Sequence, residues 1–209
     1  MAIILRLNTF LDKGIAVAVV GYTDALVATL FTRMLNDRFG ELARKPDAAF
    51  LSASGGGDSL SPAVDSFGLS ARVQDGGIAN GLAALEIEAR RVRQYGFTAS
   101  ELDRAKRWLT ALYERAYNER DKTESGSFAQ EYLNYFLSGE PSPGIDYEFR
   151  VLQQLLPTVT LDDVASLARS RLGGEGQVVL AVTPQKDGVR VPTDADLQAA
   201  ISSGEGVAV

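Results

Sequence analysis

A chain of 209 residues, 45% hydrophobic and 23% charged, is long enough to bury a sizeable core as one large domain. Its net charge of −6 and pI near 4.8 exclude the basic footprint of a nucleic-acid binder. The absence of both cysteine and histidine excludes disulfides, thiolate nucleophiles, Ser-His triads and zinc held by His or Cys, leaving any chemistry to carboxylates, Lys, Arg, Tyr and Ser.

The first ten residues, MAIILRLNTF, hold a short apolar run with no basic region ahead of it and read neither as a signal peptide nor as a membrane span. Ile15 to Val20, IAVAVV, is a continuous apolar run of strand length ending at Gly21 and predicts a buried strand. From Thr23 the period lengthens: Leu26, Leu30, Met34, Phe39 and Leu42 recur near 3.6 residues, predicting a helix that ends before Pro46, because proline pushes the preceding residue out of the α region. Ala48 to Ala53 reads as a strand. In DSFGLSARVQDGG, Phe67, Leu69, Ala71 and Val73 alternate with Gly68, Ser70, Arg72 and Gln74, which predicts a strand with one face buried. Between these strands FLSASGGGDSL has neither the lysine of a phosphate loop nor the spacing of a dinucleotide fingerprint, so Gly55 to Gly57 and Pro62 read as the connecting turn.

After Asp75-Gly76-Gly77, the stripe Leu82, Leu85, Ala89 and Val92 predicts a helix that stops at Gly96. Thr98-Ala-Ser-Glu101 is a capping box, opening a helix with Leu102, Ala105, Leu109, Leu112 and Ala116 on one face. Helices follow over Phe128–Leu137, Tyr147–Leu156 and, behind a Thr160 cap, Leu161–Leu172, the first two separated by SGEPSPGID. Gln177 to Val182 is the last strand, and Thr193 caps a tail helix. Hairpin-joined strands with a separate block of helices predict an α+β fold, an antiparallel-rich sheet packed against helices.

Acid–base pairs are sought among the carboxylates. Glu86 and Glu88 stand two apart on a helix and point in different directions, while Asp162 and Asp163 occupy a first helical turn, where they complement the dipole. Arg90, Arg91 and Arg93 read as a solvated helix end, as does the charged stretch Asn118 to Phe128. Tyr132, Tyr135 and Phe136 have helical spacing and read as core or groove packing. The patterns identify no catalytic residue.

Three segments carry a resemblance: LFTRMLNDRFGELARKPDAAFLSASG, the run from EIEARRVRQYGFTASELDRAK to SGEPSPGIDYE, and LLPTVTLDDVASLAR. Over roughly Leu30 to Leu172 they resemble the second homologous domain of large bacterial zinc peptidases of the pitrilysin/insulinase family. The most specific pieces are Gly-Phe-Thr-x-x-Glu-Leu-x-x-Ala-Lys, Gly96 to Lys106, and the Glu140-Pro141 to Asp146 turn. The resemblance implies the metallohydrolase fold of processing peptidases in a single domain over residues 1–209, with 1–21 a divergent or added start and 184–209 a tail. Family catalytic domains hold zinc through an inverted H-x-x-E-H motif; a chain without histidine resembles their catalytically inactive homologue, itself without catalytic residue or metal. Zinc is then expected in a partner, a homologous catalytic peptidase domain of the same or a neighbouring chain, with which this domain encloses a peptide substrate.

In that family an Arg/Tyr pair after the long helix of an inactive domain stabilises the substrate carbonyl. ARKPDAAF places Arg44 near the arginine and Phe50 at about the tyrosine's position, which makes both candidate substrate contacts. Phenylalanine has no donor, and an oxyanion donor is worth roughly 3–4 kcal/mol in rate, so Arg44 is expected to be a surface or structural residue more than a catalytic one. The family implies a periplasmic or other extracytoplasmic location. No nucleic acid and no membrane span are expected, and a homodimer is expected where an absent neighbour leaves an apolar edge or groove open. The competing expectation is a peptidase-derived protein-association or assembly module with no proteolytic role.

Overall fold

The computed structural model of the chain describes residues 2–10, 18–61, 64–138, 142–173 and 176–207. Strands β1 (Ala2–Phe10), β2 (Ser52–Ser61), β3 (Val64–Val73) and β4 (Gln177–Val182) form one sheet in the order β2-β3-β1-β4, every neighbouring pair antiparallel. Among the described residues the helices are α1 (Ala18–Ala43), α2 (Ile78–Tyr95), α3 (Ala99–Asn118), α4 (Ser125–Ser138), α5 (Ile145–Leu155), α6 (Leu161–Leu172) and α7 (Asp194–Gly206). The architecture is α+β, as expected.

The core forms where the helical and strand periods meet. Leu26, Val27, Leu30, Phe31, Met34, Leu35 and Phe39 give α1 a continuous buried stripe, and Phe67, Leu69, Ala71 and Val73 give β3 its buried face. Phe31 stands 5.2 Å from Phe67 and 6.2 Å edge-on from Phe97 between ring centroids, so one aromatic joins helix, sheet and the α2–α3 corner. Each such fully buried side chain contributes about 1.5–3 kcal/mol. Leu82, Leu85, Ala89 and Val92 bury the α2 stripe, and Val164, Ala168 and Leu172 that of α6.

Three readings of the strands and their connection are corrected. Of the predicted strand Ile15–Val20, residues 15–17 lie outside the described residues and 18–20 open α1; a short apolar run cannot by itself be told from a buried helix segment. The first strand is instead Ala2–Phe10, seated between β3 and β4. Likewise Gly55 to Gly57 are not the turn but lie within β2, paired with Leu69, Gly68 and Phe67. The reason is close approach: a Cβ on Gly55 would come within 2.9 Å of both Leu35 Cδ2 and Leu69 Cδ2. Pro62, the other part of the predicted turn, lies outside the described residues. The strand expected over Ala48–Ala53 begins only at Ser52, with Leu51 N–H already donating to the Arg72 carbonyl.

β2 is an edge strand, and α1 covers part of that edge. The Asn36 amide donates to the Gly55 carbonyl at 3.0 Å and accepts from Gly55 N–H at 2.7 Å, imitating a missing neighbouring strand. At the opposite edge β4 keeps Val179 and Ala181 toward the core, while Val178, Leu180 and Val182 on its other face are about half exposed.

Candidate functional site

The segment Gly96–Lys106 has a complete structural account. Gly96 adopts φ 67°, a left-handed conformation that ends α2 and that side chains strain to adopt. Phe97 is buried beneath the Arg38 guanidinium, 4.7 Å from its ring centroid. Thr98 and Glu101 form the reciprocal capping box at the start of α3. Leu102 and Ala105 enter the core, and Lys106 Nζ donates to the Val159 carbonyl at 2.6 Å, tying α3 to the turn before α6.

Sequence reasoning missed the charged knot at this corner. Arg38 grips Glu101 with two hydrogen bonds, Nε to Oε1 at 2.6 Å and Nη2 to Oε2 at 2.9 Å, and also donates to Glu88 and to the Gly96 carbonyl, both at 3.1 Å. Arg91 donates to the other oxygen of Glu88 at 2.6 Å. Burial alone would raise the Glu101 carboxyl, but Arg38 and the Thr98 N–H and hydroxyl outweigh it and pull the group down to about 2. The Arg38 pKa is raised: burial lowers it, and the two carboxylates more than offset this. All these groups are engaged with one another, so the knot fixes three helices and offers no acid or base. The sequence signal was Glu88 on the apolar side of its helix, and its partner stands 50 residues away.

Of the two expected substrate contacts, Arg44 is exposed just beyond the end of α1, whereas Phe50 is 4% exposed and packs edge-on against Phe39 at 6.2 Å. Phe50 thus holds the start of β2 to α1, and the structure brings the two positions onto one segment without joining their side chains.

A groove of about 780 Å³ opens between the C-terminal end of α3, α4 and the start of α5. Ala116, Phe128 and Ile145 give it an apolar lining; Glu119, Arg120, Lys122, Glu131 and Glu148 are the charges around it. Arg120 is held by its donation to the Tyr117 carbonyl at 2.7 Å, by Asp146 at 3.5 Å and by the Tyr117 ring at 4.3 Å. Beside the groove, burial and the Glu148 charge raise the pKa of Tyr113 and Tyr22, Tyr147 and Tyr113 adding to the effect on Tyr22. Both phenols therefore stay protonated at neutral pH, able to donate a hydrogen bond and unable to serve as bases.

The predicted packing of Tyr132, Tyr135 and Phe136 is corrected: they are 63, 60 and 82% exposed. Leu112 and Ala116, expected on the buried face of α3, are also exposed, because the buried face of that helix ends at Leu109. Helical spacing shows that residues share a face, not that a neighbour covers it. Of the Glu140–Asp146 turn, residues 140–141 lie outside the described residues. Among the described residues no group of three or more Asp, Glu, His or Cys could hold a metal ion.

No protein-family model matches the sequence. The chain is 28% identical over 164 residues to a zinc protease PQQL-like of Arabidopsis thaliana, an alignment covering 78% of this chain and 14% of that protein. Its fold matches the periplasmic protease PqqL of Escherichia coli with a TM-score of 0.87 at 13% identity, all of this chain lying on 23% of that one. It also matches a peptidase M16 inactive domain of Pseudomonas fluorescens, with a TM-score of 0.63 at 14% identity over 88% of this chain and 42% of that one.

Proposed function

We propose that this chain, which is similar to zinc peptidases of the pitrilysin/insulinase family, is a non-catalytic domain serving as scaffold and as part of the peptide-enclosing chamber for a separate, zinc-bearing domain. The observation that carries this reading is a peptidase fold matched over the whole chain, built from a sequence with no histidine. The family's zinc does not fit the donors present. Neutral imidazoles are missing from the sequence, and the carboxylates best ordered by the fold, Glu88 and Glu101, are taken up by Arg38 and Arg91. No step through a metal is assigned to this chain.

In this reading the partner is a homologous catalytic domain and the substrate an extended peptide. Arg44, exposed at the end of α1, is the residue proposed to reach the peptide, as a hydrogen-bond donor to a carbonyl. Phe50 belongs to the same contact through the segment it anchors. An extracytoplasmic location is proposed by analogy with the periplasmic E. coli protease; no helix among the described residues is long and apolar enough to cross a membrane.

The test is cleavage of a quenched fluorescent peptide library with zinc present, by this chain alone and mixed with a histidine-bearing H-x-x-E-H domain of the same organism. Cleavage that rises only in the mixture, and falls with Arg44→Ala through a higher KM, supports the proposal. Zinc-dependent cleavage by the chain alone overturns it. The outward apolar face of α4 favours the second reading, an association module with no proteolytic role; binding in the mixture without any gain in cleavage would select it.

A further inference from the structure

We draw no further inference here: the strongest candidate, the exposed aromatic patch of Tyr132, Tyr135 and Phe136 on α4, carries nothing because nothing in the structure shows what covers it.

Discussion

Substituting the glycines of β2 one at a time separates close packing from backbone freedom. Gly55 and Gly56 are adjacent, both within the strand and paired with Leu69 and Gly68. A Cβ at Gly55 meets Leu35 Cδ2 and Leu69 Cδ2 at 2.9 Å and Phe67 Cζ at 3.4 Å; the two leucines are 0% and 1% exposed, so their methyl groups have no room to withdraw. Any shift of β2 also disturbs the pair of hydrogen bonds between Gly55 and Asn36. Overpacking of this kind costs about 1–3 kcal/mol, and for a chain of this size each kcal/mol lowers Tm by roughly 2–4 °C. Gly55→Ala should therefore lower Tm by about 2–12 °C, and Gly55→Val by more. A Cβ at Gly56 meets nothing within 4 Å, so Gly56→Ala should be neutral, or stabilising by about 0.4–1 kcal/mol through the lost freedom of the unfolded chain. Thermal and urea unfolding followed by circular dichroism reads both. Equal Tm values for Gly55→Ala and Gly56→Ala would refute the packing argument and return the glycine run to a mere connection.

The Glu101 carboxyl lies at about 2 in the folded chain against an ordinary 4.5. Since the folded value is the lower one, its contribution is fully present above pH 4.5 and is lost as pH falls toward 2. Allowing for screening at its solvent edge, that contribution is about 1–2 kcal/mol; Glu101→Gln should remove it at pH 7, and urea unfolding should show the gap to wild type closing between pH 4.5 and 2. Lys106→Met keeps the aliphatic stem but removes the donor to the Val159 carbonyl. A loss of about 1–3 kcal/mol, with faster amide exchange around residues 156–160 and little change in the β-sheet, is expected; uniform loss of protection would contradict a local tie. Thr98→Ala should cost about 1 kcal/mol as the cap of α3, and an unchanged urea midpoint would argue against the capping account.

The parts of the fold legible in the sequence are those whose determinants are local. The caps at Thr98, Thr160 and Thr193 each form the reciprocal box with an acid three residues on, because that bonding needs only one helical turn. The stripe of α2 and the span of α6 were readable for the same reason. Gly55 was misread because its requirement comes from Leu35 and Leu69, 20 and 14 residues away in the chain, so no neighbouring residue signals it. The Arg38 knot spans α1, α2 and α3, and only the fold shows that its four charged members meet. At Arg44 and Phe50 the sequence supplied positions, while burial of the aromatic ring and exposure of the cation depend on α1 passing over the start of β2.

The most specific sequence segment proves to be committed to architecture. Gly96 turns the chain, Phe97 fills the corner, Glu101 caps α3 and locks Arg38, and Lys106 holds the approach to α6. Once placed there, Glu101 is held as a carboxylate by Arg38 and Thr98, which keep it well below the usual range and leave it no proton to exchange near neutral pH. What the fold turns outward is of another kind: a guanidinium at the end of α1, the groove beside Arg120, and the aromatic face of α4. Those are means of contact. The proposed role, enclosing a peptide or joining another domain, would be exercised through these surfaces, while the ordered carboxylates Glu88 and Glu101 stay bound to Arg38 and Arg91.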